Sequence, residues 1–139
     1  EDVDFITKLL GYNDKSEERQ VMRALSLFSE IEYDETLQEN EDIKFIANSK
    51  CILSISKNEE VLTNLITTII KNQIRRGNIE KTRTTIRIRP QRLRDGLFEE
   101  WADQCDLGRL SGVIQSIEES PNKEKLHNII NERFYSYFK

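Results

Sequence analysis

One long helix pattern, between Ser56 and Gly77, limits what the rest of this chain can fold into. Ser56 is followed three residues later by Glu59, a spacing that predicts a capping box in which each side chain satisfies a free amide at the helix start. Arg75 and Arg76 fall in the last turn, where cations suit the negative end of the helix dipole. Gly77 follows as the residue that ends the helix, because glycine adopts positive φ without strain.

Apolar residues recur through this helix at spacings of three and four, which places them on one broad stripe. The stripe contains Val61, Leu62, Leu65, Ile66, Ile69 and Ile70. A stripe of this width has to be covered, so we expect the rest of the chain to supply the helices that pack on it.

The remaining sequence gives further amphipathic helix patterns with short connections. We expect helices over residues 4–10, 16–32, 33–40 (anchored by Leu37), 41–51, 91–105 and 106–117, and a last one opened by Ser120 and Pro121. Its apolar stripe runs through Leu126, Ile129, Ile130, Phe134, Tyr137 and Phe138. The predicted fold is therefore all-α, an irregular bundle of antiparallel helical hairpins or an armadillo-like layer.

The 139 residues fit one domain, spanning 1–139. We divide it into a core module of about residues 12–77, a basic link at 78–90, and additional packing helices over 91–139. No apolar run reaches the roughly 18 residues that a membrane span requires. Cys51 and Cys105 occupy helix-like apolar positions, which favours buried free thiols in a reducing compartment over a disulfide.

A strongly basic segment covers the link and the adjoining ends of the parts on either side. Residues 71–94 hold nine Lys or Arg and one acid, whereas the net charge of the whole chain is −4. Inside it, Ile86 and Ile88 alternate with Arg87 and Arg89, a period of two that is typical of extended backbone. Since no partner strand is evident, we expect an extended arm. The arm could bind acidic peptide segments or nucleic acid, or simply be solvated.

Residues typical of catalysis are sparse. The chain has no glycine-rich phosphate loop, no nucleophile elbow and no zinc-ligand spacing, and its single histidine, His127, sits on a helix beside apolar neighbours. A structural or exposed role is the interpretation we favour for His127. We therefore expect a protein that is not an enzyme and that needs no cofactor, metal or small-molecule substrate.

A short segment, KCILSI over residues 50–55, lies between two predicted helices. It is too short to pair alone, so we expect a loop that carries Leu53 and Ile55 near the surface. The alternative is that both side chains fill the core.

Residues 24–76 resemble a known family. Ala24-Leu25 opens a helix, and Ile31, Leu37, Ile43, Glu59-Glu60-Val61 and Ile69-Ile70-Lys71 follow at similar spacing. The pattern is similar to the N-terminal domain of transcription elongation factor TFIIS and its relatives, which include Iws/Spn-type elongation factors and the integrase-binding domain of lens epithelium-derived growth factor. Many members carry Trp where this chain has Gln73. Residues 78–139 have no counterpart that we can place, so we expect them to add helices that pack on the core, and this coverage by flanking helices favours the Iws/Spn branch.

The resemblance implies a nuclear, non-enzymatic module that binds a short linear segment of a transcription, chromatin or histone-chaperone protein. It implies partner contacts at Asp14, Leu53 and Ile55, with Tyr12 beside them. Contacts to an acidic partner or to nucleic acid are expected from Arg75, Arg76, Arg83, Arg87 and Arg89. Two alternatives stay open: nucleic-acid binding through residues 71–94, and an acidic helical inhibitor or antitoxin-type protein.

Overall fold

A computed structural model of the chain describes residues 2–11, 16–37 and 39–136, and most of this backbone is helical. In order, the elements are α1 (Asp2–Leu10), α2 (Glu17–Leu25), β1 (Ile31–Glu32), α3 (Glu41–Asn48), α4 (Glu59–Arg75), β2 (Ile79–Lys81), β3 (Thr85–Ile88), α5 (Gln91–Asp103), α6 (Leu107–Glu118), α7 (Lys123–Ile129) and α8 (Glu132–Tyr135). The mainly helical character is confirmed, but a three-stranded sheet departs from the all-α prediction.

Helix α4 is the longest element described and lies at the centre, packed against α2, α3 and β2. Its buried face holds Leu62, Ile66, Ile69, Ile70 and Gln73. The stripe is narrower than predicted, because Leu65 is only half-buried and Val61 is 44% exposed.

The two ends of α4 gave different outcomes. The predicted capping box at Ser56 is wrong: the helix starts two residues later, where the side chain of Asn58 accepts a hydrogen bond from the Val61 amide at 2.9 Å. Asparagine serves this position as well as serine does. At the other end, Gly77 has a φ of +83° and the Asn78 amide donates to the Gln73 carbonyl, so the predicted glycine stop is confirmed.

The predicted extended arm over 78–90 is wrong, because the segment folds into a β-hairpin. Strands β2 and β3 pair antiparallel, and β3 also pairs with β1, which gives the order β1-β3-β2. The predicted period of two is confirmed: Ile86 and Ile88 are buried, while Arg87 and Arg89 are exposed. The missing partner strand is the two-residue β1, far upstream.

Residues 26–40 also differ from the prediction. Helix α2 ends at Leu25, not near Glu32, and the chain then becomes extended at β1. No helix forms over the described part of 33–40, and Leu37, the predicted anchor, is 48% exposed.

The early end of α2 has a long-range cause, which we call the clasp: residues 26–29 bond to residues 129–131. The Ser29 amide donates to the Ile129 carbonyl, the Asn131 amide donates to the Leu27 carbonyl, and Phe28 forms an isolated bridge with Ile130. A continued helix would have used these backbone groups internally.

The C-terminal third is closer to expectation. Helix α6 begins behind Asp106, which accepts from the Arg109 amide, and buries Leu110, Val113 and Ile117 as predicted. Helix α7 starts at Lys123, not at the predicted Ser120-Pro121 cap, and Ile130 interrupts the last stripe by adopting extended backbone. Leu126, Ile129, Ile130 and Phe134 are buried, while Tyr137 and Phe138 lie outside the described residues.

A buried charge network joins α2 to α5. Arg19 and Arg23 both bond to Glu100: the Nε atoms of both arginines lie 3.0 and 2.9 Å from its Oε1. Arg19 is fully buried and Arg23 is 4% exposed, and the side chain of Glu100, which both contact, is 16% exposed. Cys51 and Cys105 are half-buried free thiols, and burial raises the pKa of Cys105 to about 11.

Candidate functional site

A groove of about 280 Å³ opens between the 33–40 segment, α3 and α4, and we call it the front groove. Its α4 side is one helix face, formed by Glu59, Thr63, Asn64, Thr67 and Lys71. The other sides are formed by Tyr33, Glu35, Leu37, Glu39, Asn40, Ile43 and Lys44.

The outer wall is held by hydrogen bonds within the loop. The Asp34 amide donates to the Asn40 side chain at 2.8 Å, and the Asp34 carboxylate accepts from the Thr36 hydroxyl and amide at 2.6 and 3.0 Å. These bonds, led by the hydroxyl, lower the pKa of Asp34. The turn they form presents Leu37 at the rim with about half of its surface exposed.

Tyr33 lies at the inner wall with its ring buried and its hydroxyl donating to Glu35 at 3.2 Å. Burial, and then the neighbouring carboxylate, raises the pKa of Tyr33 to about 12, so the phenol stays protonated and acts as a donor. The groove thus has apolar surface at Leu37, with the buried Ile43 behind it, beside groups that donate and accept hydrogen bonds.

Charge is distributed unevenly along the α4 wall. Glu59 stands at the helix start and Lys71 near its other end, with the uncharged Thr63, Asn64 and Thr67 between them. At 1.5 Å per residue this wall is about 18 Å long, room for five or six residues of extended chain. An occupant therefore meets an acidic end, a neutral middle and a basic end.

The predicted surface positions of Leu53 and Ile55 are wrong. Leu53 is 2% exposed and Ile55 is 7% exposed, so both side chains belong to the core. Their loop is fixed from the other side: Trp101 Nε1 donates to the Ile52 carbonyl at 3.0 Å, and Arg109 Nε donates to the Cys51 carbonyl at 2.6 Å. Sequence spacing could not reveal these two anchors. The other two expected partner contacts, Tyr12 and Asp14, lie outside the described residues.

The five predicted basic contacts divide into three groups. Arg75 and Arg83 are exposed and have no hydrogen-bond or ion-pair partner among the residues that the structure describes. Arg87 and Arg89 pair with Glu80 across the hairpin at 2.9 and 3.2 Å, and the hydrogen bond from Arg87 lowers the pKa of Glu80.

Arg76 donates to the Leu9 carbonyl at 3.1–3.2 Å and so ties the end of α4 to α1. The basic patch available to a partner is therefore Arg75 and Arg83, with Lys71 and Lys81 exposed as well. It is smaller than the nine cations of the sequence segment suggest.

His127 bridges two helices: its Nδ1 lies 2.7 Å from the Tyr135 hydroxyl and its Nε2 lies 2.5 Å from Glu118. The hydrogen bond with His127 lowers the pKa of Glu118, and burial raises the pKa of Tyr135, so the tyrosine is not activated as a nucleophile. Within the described residues, no group of three or more His, Cys, Asp or Glu is placed to hold a metal ion.

The sequence analysis missed the front groove, although one signal was present. Leu37 is the single apolar residue between Asp34 and Glu41, a position with no helical partner that suggests exposure.

None of the helices in the described ranges is long and apolar enough to cross a membrane. Comparison of the chain with protein-family models, with curated proteins and with solved structures found no match.

Proposed function

We propose that this domain is a non-enzymatic protein-interaction module that binds a short linear segment of a partner protein in the front groove. The observation that carries the proposal is the exposed Leu37 at the rim of a groove lined by donors, acceptors and charges of both signs. Grooves of this kind bind peptides through an apolar anchor, with polar groups fixing direction and register.

The groove defines the segment it suits. An apolar side chain contacts Leu37, a basic residue faces Glu59, and an acidic residue faces Lys71. The exposed Arg75 lies one turn beyond Lys71 on α4 and extends the preference for acidic residues at that end. The resemblance to TFIIS-type domains places the partner, in this proposal, among nuclear transcription elongation, chromatin and histone-chaperone proteins.

The test is selection from a displayed library of linear peptides, followed by affinity measurement with fluorescence anisotropy. Peptides enriched by the wild-type domain should bind Leu37→Asp at least tenfold more weakly. Leu107→Asp is the matched control, because Leu107 is also an exposed leucine (72%) and lies outside the groove. Equal affinity for both variants, or no enrichment by the wild type, contradicts the proposal.

A second candidate function, nucleic-acid binding, is favoured by one observation. The order α2-β1-α3-α4-β2-β3, with two consecutive helices followed by a hairpin, is the element order of winged helix-turn-helix domains. Against it, Glu59 and Glu60 stand at the start of α4, where a recognition helix approaches phosphates.

Fluorescence anisotropy with duplex DNA at several salt concentrations distinguishes this candidate. A backbone-binding hairpin gives affinity that falls steeply with salt and is lost in Arg83→Glu. No binding at low salt excludes it.

A further inference from the structure

A second, smaller cavity lies where α2, the 49–58 loop and the α5–α6 corner meet, and we call it the guanidinium pocket. It has a volume of about 60 Å³ and shares no residue with the front groove. The lining residues are Gln20, Arg23, Ile52, Leu53, Ser54, Trp101, Gln104 and Arg109. Two of these carry a positive charge and none carries a carboxylate.

The first cation, Arg23, is almost fully buried. Its Nε bonds to Glu100, which also pairs with the fully buried Arg19. Arg23 therefore shares the carboxylate of Glu100 with a second guanidinium group. The terminal N–H groups of Arg23 have no acceptor among the described residues, although its side chain lines the pocket.

The second cation, Arg109, is held in place without being neutralised. Its Nε and one terminal nitrogen donate to the carbonyls of Cys51 and Ile52 at 2.6 and 3.3 Å, and its guanidinium lies 5.3 Å from the centre of the Trp101 ring. Over the described ranges it has no carboxylate within ion-pair distance. The nearest acid in its helix start, Asp106, accepts from the Arg109 backbone amide instead.

We propose that the guanidinium pocket binds a small oxyanion, a carboxylate or a phosphate group, between Arg23 and Arg109. A guanidinium group that has N–H donors without an acceptor is stabilised by an added anion, and its planar fork matches carboxylate and phosphate oxygens. A cavity of this volume has room for a group of a few heavy atoms, since one water needs about 10–15 Å³ on a similar measure. Two fixed donors with Trp101 beside them form a site that is already organised before the anion arrives.

The chain contains a built-in reporter for this site. Trp101 is its only tryptophan, and it lines the pocket in contact distance of the Arg109 cation. Titration of the intact domain with inorganic phosphate, and separately with acetate, at ionic strength held constant with sodium chloride, should give a saturable change in tryptophan fluorescence. The two arms distinguish a phosphate source from a carboxylate source.

Two variants and one control test the assignment. Arg109→Gln removes a donor pair, and Gln104→Glu places a carboxylate at the exposed rim, so each should weaken binding at least tenfold. Gln104→Glu changes an exposed position and keeps the test valid even where Arg109→Gln does not fold. Lys123→Gln, at an exposed position of α7 that lines neither cavity, makes the same charge change as Arg109→Gln and should leave binding unchanged.

The opposing results are equally clear. A fluorescence change that does not saturate in either arm, or that sodium chloride alone reproduces, overturns the proposal. The same holds if Gln104→Glu binds both anions as tightly as the wild type does.

Discussion

The shared carboxylate of Glu100 offers the sharpest test of how this fold is held together. Replacing it with Gln removes the negative charge that Arg19, which is fully buried, and Arg23, which is 4% exposed, both contact. Removing one partner of a buried ion pair costs about 3–5 kcal/mol, because the remaining charge stays buried and unpaired. With two guanidinium groups affected, we expect Glu100→Gln to fall in this range.

Urea denaturation measures the effect. With a slope of about 2 kcal/mol per molar urea, a loss of about 4 kcal/mol lowers the unfolding midpoint by about 2 M. The matched control is Glu99→Gln, one residue away on the same helix. Glu99 pairs with Arg133 at 2.8 Å, but both side chains are about half exposed. Such surface pairs contribute about 0–1 kcal/mol.

The comparison between the two variants decides the matter. If Glu100→Gln loses no more stability than Glu99→Gln, buried charge is not what makes this position important. A further variant, Arg23→Met with Glu100 retained, keeps the ion pair between Arg19 and Glu100. It should therefore lose less stability than Glu100→Gln loses.

Three further predictions concern local features of the helices. Asn58→Ala should lower the free energy of unfolding, measured by thermal denaturation, by about 1 kcal/mol, because Asn58 caps α4, and Ser56→Ala should hardly change it. A larger loss in Ser56→Ala would show that Ser56 is the cap. Gly77→Ala should cost about 1–2 kcal/mol by the same assay, since the φ of +83° strains any residue with a Cβ even where the space is open; an unchanged midpoint would contradict this. NMR titration of the Glu118 carboxyl should give a pKa below its ordinary 4.5, and His127→Ala should return it towards that value. A depressed carboxyl pKa means that this contact stabilises the fold above pH 4.5 and that its contribution is lost as the pH falls through the lowered pKa. Equal titration curves for the wild type and His127→Ala would contradict the prediction.

Local patterns identified the elements whose cause is local. The α4 stripe, its glycine stop and the α6 helix were all readable from spacing and end residues. These features depend on residues within one or two turns of each other, so the surrounding fold has little power to change them.

The errors over residues 26–32 and 50–55 arise where a distant segment decides. Residues 26–32 look helical, but their backbone bonds to residues 129–131 and to β3 instead. Leu53 and Ile55 look like surface residues of a short loop until Trp101 and Arg109 pin that loop into the core.

The candidate sites were hidden for a related reason. Neither the front groove nor the guanidinium pocket is contiguous in sequence, because each draws on three parts of the chain. The charged residues that line them look like ordinary solvated positions when taken one at a time. The resemblance to an elongation-factor domain pointed to the 50–55 loop, which instead forms one wall of the guanidinium pocket.

The clasp between residues 26–29 and 129–131 has a consequence for how the chain reaches this state. Its hydrogen bonds close a loop of about a hundred residues, and the entropy of that closure is lost before any of the bonds can form. During synthesis, the segment after α2 has to wait until residues 129–131 have left the ribosome. A nascent chain that ends before Ile129 leaves the Leu27 carbonyl and the Ser29 amide to water, and the helix pattern of 26–32 is then free to continue α2. The same stretch can therefore be helical before residues 129–131 emerge and extended after they do.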